Sequence, residues 1–167
     1  MLRCLQTADP IYQKLSIKPK VIIEPALRER VTSSCDLPSD TLVLKDKFGY
    51  MDFSFLERFK VQDFWIREEL GRLRGEASSE ELENTKAYVD HMRKIHPDTV
   101  EPQKALNDRA QAFRKALKEN RDLAGKTILI VSHSAFLESF TATKYFVDDT
   151  PLDGNYLKNA EFMEVVL

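Results

Sequence analysis

The apolar pattern of the chain changes its period at His133. Residues 128–131 are consecutive aliphatic residues, most of them β-branched, and a short unbroken run of this kind is typical of a strand buried on both faces. After His133 the apolar positions recur at one helical turn, which predicts an amphipathic helix. Ser132 or Ser134 could cap that helix by accepting a backbone N–H. The pattern therefore predicts a strand that ends at His133 and a helix that follows it directly.

The same kind of pattern predicts other strands and helices along the chain. Short strands are expected at residues 20–24 and 160–167, where apolar and β-branched residues lie next to prolines or turn residues. Amphipathic helices are expected at residues 78–95 and 103–121, and the charged residues of the second are expected to form a solvated outer face. Because helices precede and follow the strands, the predicted fold class is α/β, a mostly parallel sheet with helices on both faces.

Aromatic residues are concentrated between residues 48 and 65. We expect most of these rings to be core or helix-packing surface. One alternative is a lid that lines a substrate, and another is an exposed patch that binds a protein partner. Burial of the rings would favour the core hypothesis, and exposure would favour the binding-patch hypothesis.

Composition narrows the class of protein and its partners. The chain has 167 residues, of which 43% are hydrophobic and 31% are charged, as in a soluble single domain. Twenty-five basic and 27 acidic residues give a net charge of −2, which favours neither nucleic acid nor an anionic membrane as a partner. Cys4 and Cys35 are too few for a disulfide framework. With no secretory signal and no apolar run near the ~20 residues of a membrane span, we expect a cytoplasmic location.

His133 has the position of a ligand-binding residue. In open α/β sheets ligands bind at the carboxyl ends of the strands, and the N–H groups at a helix amino terminus favour phosphate. A histidine there can donate to an anionic oxygen. The alternative is a histidine that is hydrogen-bonded at a strand end for structural reasons only. His91 and His96 lack thiols or acids at ligand spacing, so no metal site is expected.

Four short motifs resemble the histidine phosphatase (phosphoglycerate mutase-like) superfamily in type and order. They are Leu-Arg-Cys-Leu-Gln-Thr-Ala at residues 2–8, Leu-Arg-Glu at 27–29, Ile-Val-Ser-His at 130–133 and Leu-Lys-Asn-Ala-Glu at 157–161. The resemblance covers both ends of the chain and implies a single domain over residues 1–167. Residues 41–100 match that family only as a variable helical insertion.

The resemblance implies phosphoryl transfer through a phosphohistidine, without metal or other cofactor, on a small phosphorylated molecule or inorganic phosphate. Arg3 matches an arginine that holds the phosphoryl oxygens, and His133 matches the second histidine of that site, with Ser134 beside it as a further phosphate-binding residue. Glu29 matches the acid that protonates the leaving oxygen, and Glu24 is the alternative. Fixed cations suit the charge of a phosphoryl transition state, and arginine matches two phosphate oxygens.

The chain departs from the family because it contains no Arg-His-Gly motif, which carries the nucleophile, and no Ser-Pro pair before Arg3. We therefore expect this chain to be amino-terminally incomplete, to lack strands of the sheet and to be inactive as given. The alternatives are a natural non-catalytic relative, used as an anion-binding or protein-interaction module, and a partner chain that supplies the missing strand.

Two other interpretations of the candidate residues also stand at this point. Glu29 could form a surface salt bridge with Arg28 or Arg30. Ser132 and Ser134 next to a histidine suggest a serine hydrolase, but the chain has no Gly-x-Ser-x-Gly turn, and the serines adjoin the histidine too closely for a nucleophile–base pair.

Overall fold

Two compact units make up the chain in the computed structural model, which describes residues 2–33, 36, 41–57, 94 and 101–167. The first unit comprises Met1–Pro25 and Val31–Glu101. The second unit comprises Ala26–Arg30 and Pro102–Leu167. The short segment Ala26–Arg30 thus belongs with the carboxyl-terminal part of the chain and not with its own sequence neighbours.

Within the described residues, helices are the main regular elements of both units. Those of the first unit are α1 (Leu2–Lys14), α2 (Thr41–Lys47) and α3 (Ser54–Glu57). Those of the second unit are α4 (Gln103–Glu119) and α5 (Ser134–Thr141). Short 3₁₀ turns lie at Pro25–Leu27 and Arg121–Leu123. The predicted helix at residues 103–121 and the predicted helix after His133 are therefore confirmed, while the helix predicted at residues 78–95 lies, except for residue 94, outside the described residues.

A β-bridge in the first unit pairs Ile22 with Asp52 in parallel. The Asp52 N–H donates to the Val21 carbonyl oxygen at 2.8 Å, and the Asp52 carboxylate pairs with the Lys20 ammonium at 2.8 Å. The buried apolar side chains of this unit are Leu5, Ile23, Val31, Leu44, Phe48, Met51, Phe53 and Leu56.

The aromatic segment is only partly described, from residue 48 to residue 57. Within that part Phe48 and Phe53 are buried, while Tyr50 and Phe55 are exposed. The Tyr50 ring stacks on Tyr12 with centroids 4.3 Å apart, and its hydroxyl donates to Asp9 at 2.8 Å. Desolvation and the Asp9 carboxylate raise the pKa of Tyr50 to about 12. Phe48, Tyr50 and Phe53 are thus packed against their own unit, and the rings beyond residue 57 lie outside the described residues.

The second unit is built on the contact between α4 and α5. Leu106 and Ala110 of α4 pack against Phe136 and Phe140 of α5, and all four side chains are buried. The spacing of four residues in each helix places both members of each pair on one face. The Phe113 ring adds tilted contacts, with its centroid 6.4 Å from that of Phe136 and 6.1 Å from that of Phe140. This core fixes the position of the first turn of α5, where His133 lies.

The predicted α/β fold class is wrong. The described residues are 48% helical, only 3% are in β-bridges, and they form no sheet. The predicted strand at residues 128–131 has no regular structure, and Leu129 is 65% exposed. The strand predicted at residues 20–24 is reduced to the bridge at Ile22, and the one at residues 160–167 is absent, with Phe162 91% exposed.

The reason for this error is physical. An apolar, β-branched run favours a strand only where neighbouring backbone can complete the ladder of hydrogen bonds. Within the described residues no partner segment pairs with residues 128–131.

In the described part of the chain no helix is long and apolar enough to cross a bilayer.

Candidate functional site

His133 is the N-cap residue of α5. Its backbone is extended (φ −103°, ψ 151°), and its carbonyl oxygen accepts the first helical hydrogen bond, from the Leu137 N–H at 2.9 Å. The residue is 7% exposed. Because the chain turns from irregular backbone into a helix at this residue, the imidazole is held at the amino end of α5.

The structure brings Glu29 to this imidazole. The His133 Nδ1 lies 3.1 Å from the Glu29 Oε2, and the other carboxylate oxygen, Oε1, accepts the Arg30 N–H at 3.0 Å. Glu29 is partly buried and His133 almost fully buried. Two candidate residues from opposite ends of the sequence therefore form one polar pair inside the second unit.

The segment that carries Glu29 is tied down at successive carbonyl oxygens. The Arg109 Nη1 donates to the Ala26 oxygen at 2.6 Å and to the Arg28 oxygen at 3.0 Å. Between these two, the Ser132 hydroxyl donates to the Leu27 oxygen at 2.7 Å. Side chains of α4 and of the residue before His133 thus hold the backbone on which Glu29 stands.

The arginines next to Glu29 have partners other than its carboxylate. The Arg28 Nη1 donates to the Glu29 carbonyl oxygen at 3.1 Å, and the Arg30 Nη1 donates to the Gln103 Oε1 at 2.7 Å. Arg28 is buried. The pair therefore lies in a region rich in guanidinium groups, where an anion would meet positive charge.

The arrangement is a carboxylate–imidazole pair in which Oε1 accepts the Arg30 N–H and Oε2 lies within hydrogen-bonding distance of the His133 Nδ1. An imidazole in its protonated form can donate from both nitrogens. With Nδ1 directed at Glu29, the ring orientation is fixed. Such a pair can hold a donor toward an anionic oxygen. Among the described residues no group of three or more His, Cys, Asp or Glu side chains could hold a metal ion.

The other predicted phosphate-binding residues are placed differently. Arg3 lies on α1 in the first unit, where its guanidinium is 67% exposed and 3.8 Å from the Asp36 carboxylate. Glu24, the alternative acid, also belongs to the first unit. The Ser134 hydroxyl donates to the Leu157 carbonyl oxygen at 2.5 Å. Of the predicted site residues, the second unit contains His133, Glu29 and Ser134.

The serine capping predicted for α5 is wrong. The N-cap residue is His133, with no side-chain capping hydrogen bond, and the Ser132 and Ser134 hydroxyls donate to carbonyl oxygens of remote segments. The Glu29 carboxylate contacts the His133 imidazole and the Arg30 N–H, and its salt bridge with Arg28 or Arg30 stays a prediction.

Sequence reasoning missed Arg109. The charged residues of its helix were expected to form a solvated face, which is wrong for Arg109 and Arg114 because both are partly buried and donate to main-chain oxygens. One signal was present in the sequence: Arg109 lies one turn after Leu106 and next to Ala110, at the border of the apolar face. A charged side chain at that border can reach under the neighbouring segment.

Comparisons with protein-family models, with curated proteins and with solved structures found no match to this chain.

Proposed function

We propose that His133 binds an oxygen of a phosphoryl group or of inorganic phosphate, with Glu29 holding its imidazole in place. The observation that carries this proposal is the 3.1 Å distance between the His133 Nδ1 and the Glu29 Oε2. It joins the two residues that the resemblance to histidine phosphatases assigns to one phosphate site. The guanidinium groups nearby and the start of α5 supply further positive potential for an anion.

Glu29 has an orienting role in this proposal. Proton donation to a leaving oxygen, the role that the resemblance implies, needs the protonated carboxyl. In the structure one oxygen accepts the Arg30 N–H and the other lies 3.1 Å from the His133 Nδ1, which suits an anchor for the imidazole. Proton donation by Glu29 stays a prediction from the resemblance.

The proposed activity of this chain is binding and not turnover. The sequence has no Arg-His-Gly motif, so the resemblance gives no residue to form a phosphohistidine. For a form of this protein that carries the nucleophile, we propose hydrolysis or transfer of a phosphomonoester. This proposal rests on the same resemblance. We also propose a cytoplasmic location, which rests on the low cysteine content.

The test is a titration of the chain with inorganic phosphate and with orthovanadate, followed by NMR of the imidazole nitrogens. Either anion should shift the His133 signals, and His133→Gln should weaken binding by about tenfold, which corresponds to about 1.4 kcal/mol. Phe146→Ala, an exposed site in the same unit, is the control and should bind as the parent does. If neither anion moves the His133 signals, the proposal is wrong.

Turnover is tested separately with an aryl phosphate whose product is coloured. We expect no hydrolysis above that of buffer. Vanadate-sensitive hydrolysis that disappears in His133→Ala would show that the chain is an active phosphatase and would contradict the proposed restriction to binding.

A further inference from the structure

Arg109 contacts both segments that meet at the Glu29–His133 pair. Its Nη1 bridges the carbonyl oxygens of Ala26 and Arg28 at 2.6 and 3.0 Å, which are the residues three and one before Glu29. Its Cζ lies 5.4 Å from the centre of the Phe136 ring, in the first turn after His133. One side chain of α4 therefore touches the backbone that carries the acid and the helix that carries the histidine.

We infer that Arg109 is a positioning residue that holds the Glu29 carboxylate against the His133 imidazole. This inference extends the proposed function and rests on it, because Arg109 would act on phosphate binding only through the Glu29–His133 pair. The geometric claim is separate: without Arg109, the carboxylate should no longer be held at the Nδ1.

The chemistry of the guanidinium suits this role. One nitrogen carries two N–H groups and can donate to two carbonyl oxygens at once, which fixes the spacing of alternate peptide units in the segment Ala26–Arg30. The planar group can also lie over an aromatic ring, and here that ring belongs to the buried Phe136. Lysine has the charge but not the planar fork, so it should replace arginine only in part.

Ser132 supports the same geometry from the other side. Its hydroxyl donates to the Leu27 oxygen at 2.7 Å, between the two oxygens that Arg109 holds, and it directly precedes His133. The segment that carries Glu29 is thus linked to the segment that carries His133 by a hydrogen bond that is independent of the carboxylate–imidazole contact. Arg109 adds the link to α4, the longest helix of this unit.

The chain offers a matched control in Arg114. It lies on α4, is partly buried as Arg109 is, and its Nη1 also faces main-chain oxygens, those of Phe140, Thr141 and Ala142 at 3.3, 3.4 and 3.3 Å. These oxygens belong to the other end of α5. Arg114→Gln therefore removes the same kind of interaction from the same helix, away from Glu29.

The experiment reads the imidazole nitrogens of His133 by ¹H–¹⁵N NMR, at one pH and without phosphate. Glu29→Gln should move the Nδ1 signal, because the ionised acceptor is lost. Arg109→Gln should move it in the same direction, Arg109→Lys less, and Arg114→Gln not at all. In the Glu29→Gln background, Arg109→Gln should add no further shift, since the two changes act on one contact.

Several outcomes would overturn the inference. A folded Arg109→Gln chain with the parent's Nδ1 signal would do so, as would an equal shift in Arg114→Gln, which would indicate general loosening. If Arg109→Gln does not fold, Arg109→Lys decides, and an unchanged signal in that variant counts against the inference. Failure of phosphate to bind the parent chain would contradict only the proposed function, because the Nδ1 signals are measured without phosphate.

Discussion

The two ends of α5 are held by arginines of the same neighbouring helix, yet with different results. At the carboxyl end, Arg114 faces the oxygens of the last helical residues at 3.3 to 3.4 Å, and the Gln111 amide donates to the oxygens of Ser139 and Ala142 at 2.6 and 3.0 Å. At the amino end, Arg109 donates to oxygens of a segment remote in sequence, at 2.6 and 3.0 Å.

The two arginines therefore have different roles: Arg114 binds the free carbonyl groups at the end of a helix, whereas Arg109 holds a remote segment beside the candidate site. The last carbonyl groups of any helix lack partners within it, so Arg114 and Gln111 satisfy a need that α5 itself creates. The carbonyl oxygens that Arg109 binds belong to the segment Ala26–Arg30 and not to α5, so Arg109 holds that segment beside His133. Its shorter donor–acceptor distances indicate stronger hydrogen bonds. The Arg114 Nε, in contrast, is buried without a hydrogen-bond partner within the described part of the chain.

Phe136 lies in the first turn of α5, and its truncation should have the largest effect. The ring is fully buried, packs against Phe140 and lies under the Arg109 guanidinium. We expect Phe136→Ala to lower the free energy of unfolding by about 3–5 kcal/mol, the usual cost of a large cavity in a core. Urea denaturation followed by circular dichroism measures it. Phe146→Ala, at an exposed ring, should change it by no more than about 0.5 kcal/mol; similar losses in both variants would contradict the role assigned to this core.

Gly154 tests how closely the carboxyl half of α5 is covered. A β-carbon at this position would lie 2.8 Å from the Glu138 Cγ and against the Glu138 carbonyl oxygen. We therefore expect Gly154→Ala to cost about 1–3 kcal/mol of unfolding free energy, the range for overpacked sites. Gly125→Asn is the control, because nothing lies within 4 Å of an added β-carbon there and asparagine adopts the φ of +70° more readily than other residues,. A Gly154→Ala chain as stable as the parent would show that this approach is looser in solution.

Arg114→Gln should sharpen the contrast with Arg109. We expect a loss of about 1–2 kcal/mol in unfolding free energy, near the low end for charged hydrogen bonds because the distances are long. Amide hydrogen exchange should accelerate in the last turn of α5 and not at its first turn. The control on the same helix is Lys115→Gln, which removes only an exposed ion pair with Glu119 at 3.8 Å and should cost about 0.5 kcal/mol or less. Faster exchange at the first turn of α5 would contradict the division between the two ends.

The helices of the second unit could be predicted from the sequence because their period is a local property. Leu106, Ala110, Phe136 and Phe140 stand at helical spacing whatever their partners are. The sheet could not be predicted in the same way, since a strand depends on backbone from elsewhere in the chain. Residues 128–131 have the composition of a strand and, within the described residues, no segment to pair with.

The site was predictable in part. The change of period placed His133 at the start of a helix, and the resemblance singled out Glu29, but no spacing rule brings these two residues together. Arg109 was grouped with the solvated charges because composition does not distinguish a guanidinium in water from one over buried carbonyl oxygens. The sequence places both serines where either could cap α5, but their hydroxyls donate to carbonyl oxygens of remote segments.

The smallest expected effect concerns Asp153, the carboxylate that anchors the chain just after α5. It accepts hydrogen bonds from the Thr143 hydroxyl at 2.6 Å, the Thr143 N–H at 2.7 Å and the Lys144 N–H at 2.9 Å. The Thr143 hydroxyl and then the backbone donors lower the pKa of Asp153 from 3.8 to about 2. At the amino end the carboxylate of Glu29 meets an imidazole instead, so the two ends also differ in what their acids hold.

The lowered pKa fixes the sign of the pH dependence. Because the folded chain binds this proton less readily than the unfolded chain, Asp153 stabilises the fold above pH 3.8, and this contribution is lost as the pH falls toward about 2,. The carboxylate is exposed, so the effect should be small and should weaken with salt. Asp153→Asn should flatten the dependence of unfolding free energy on pH across that interval. Thr143→Val should flatten it only in part, since both backbone donors remain. A slope in Asp153→Asn as steep as the parent's would mean that this turn is not held by the carboxylate.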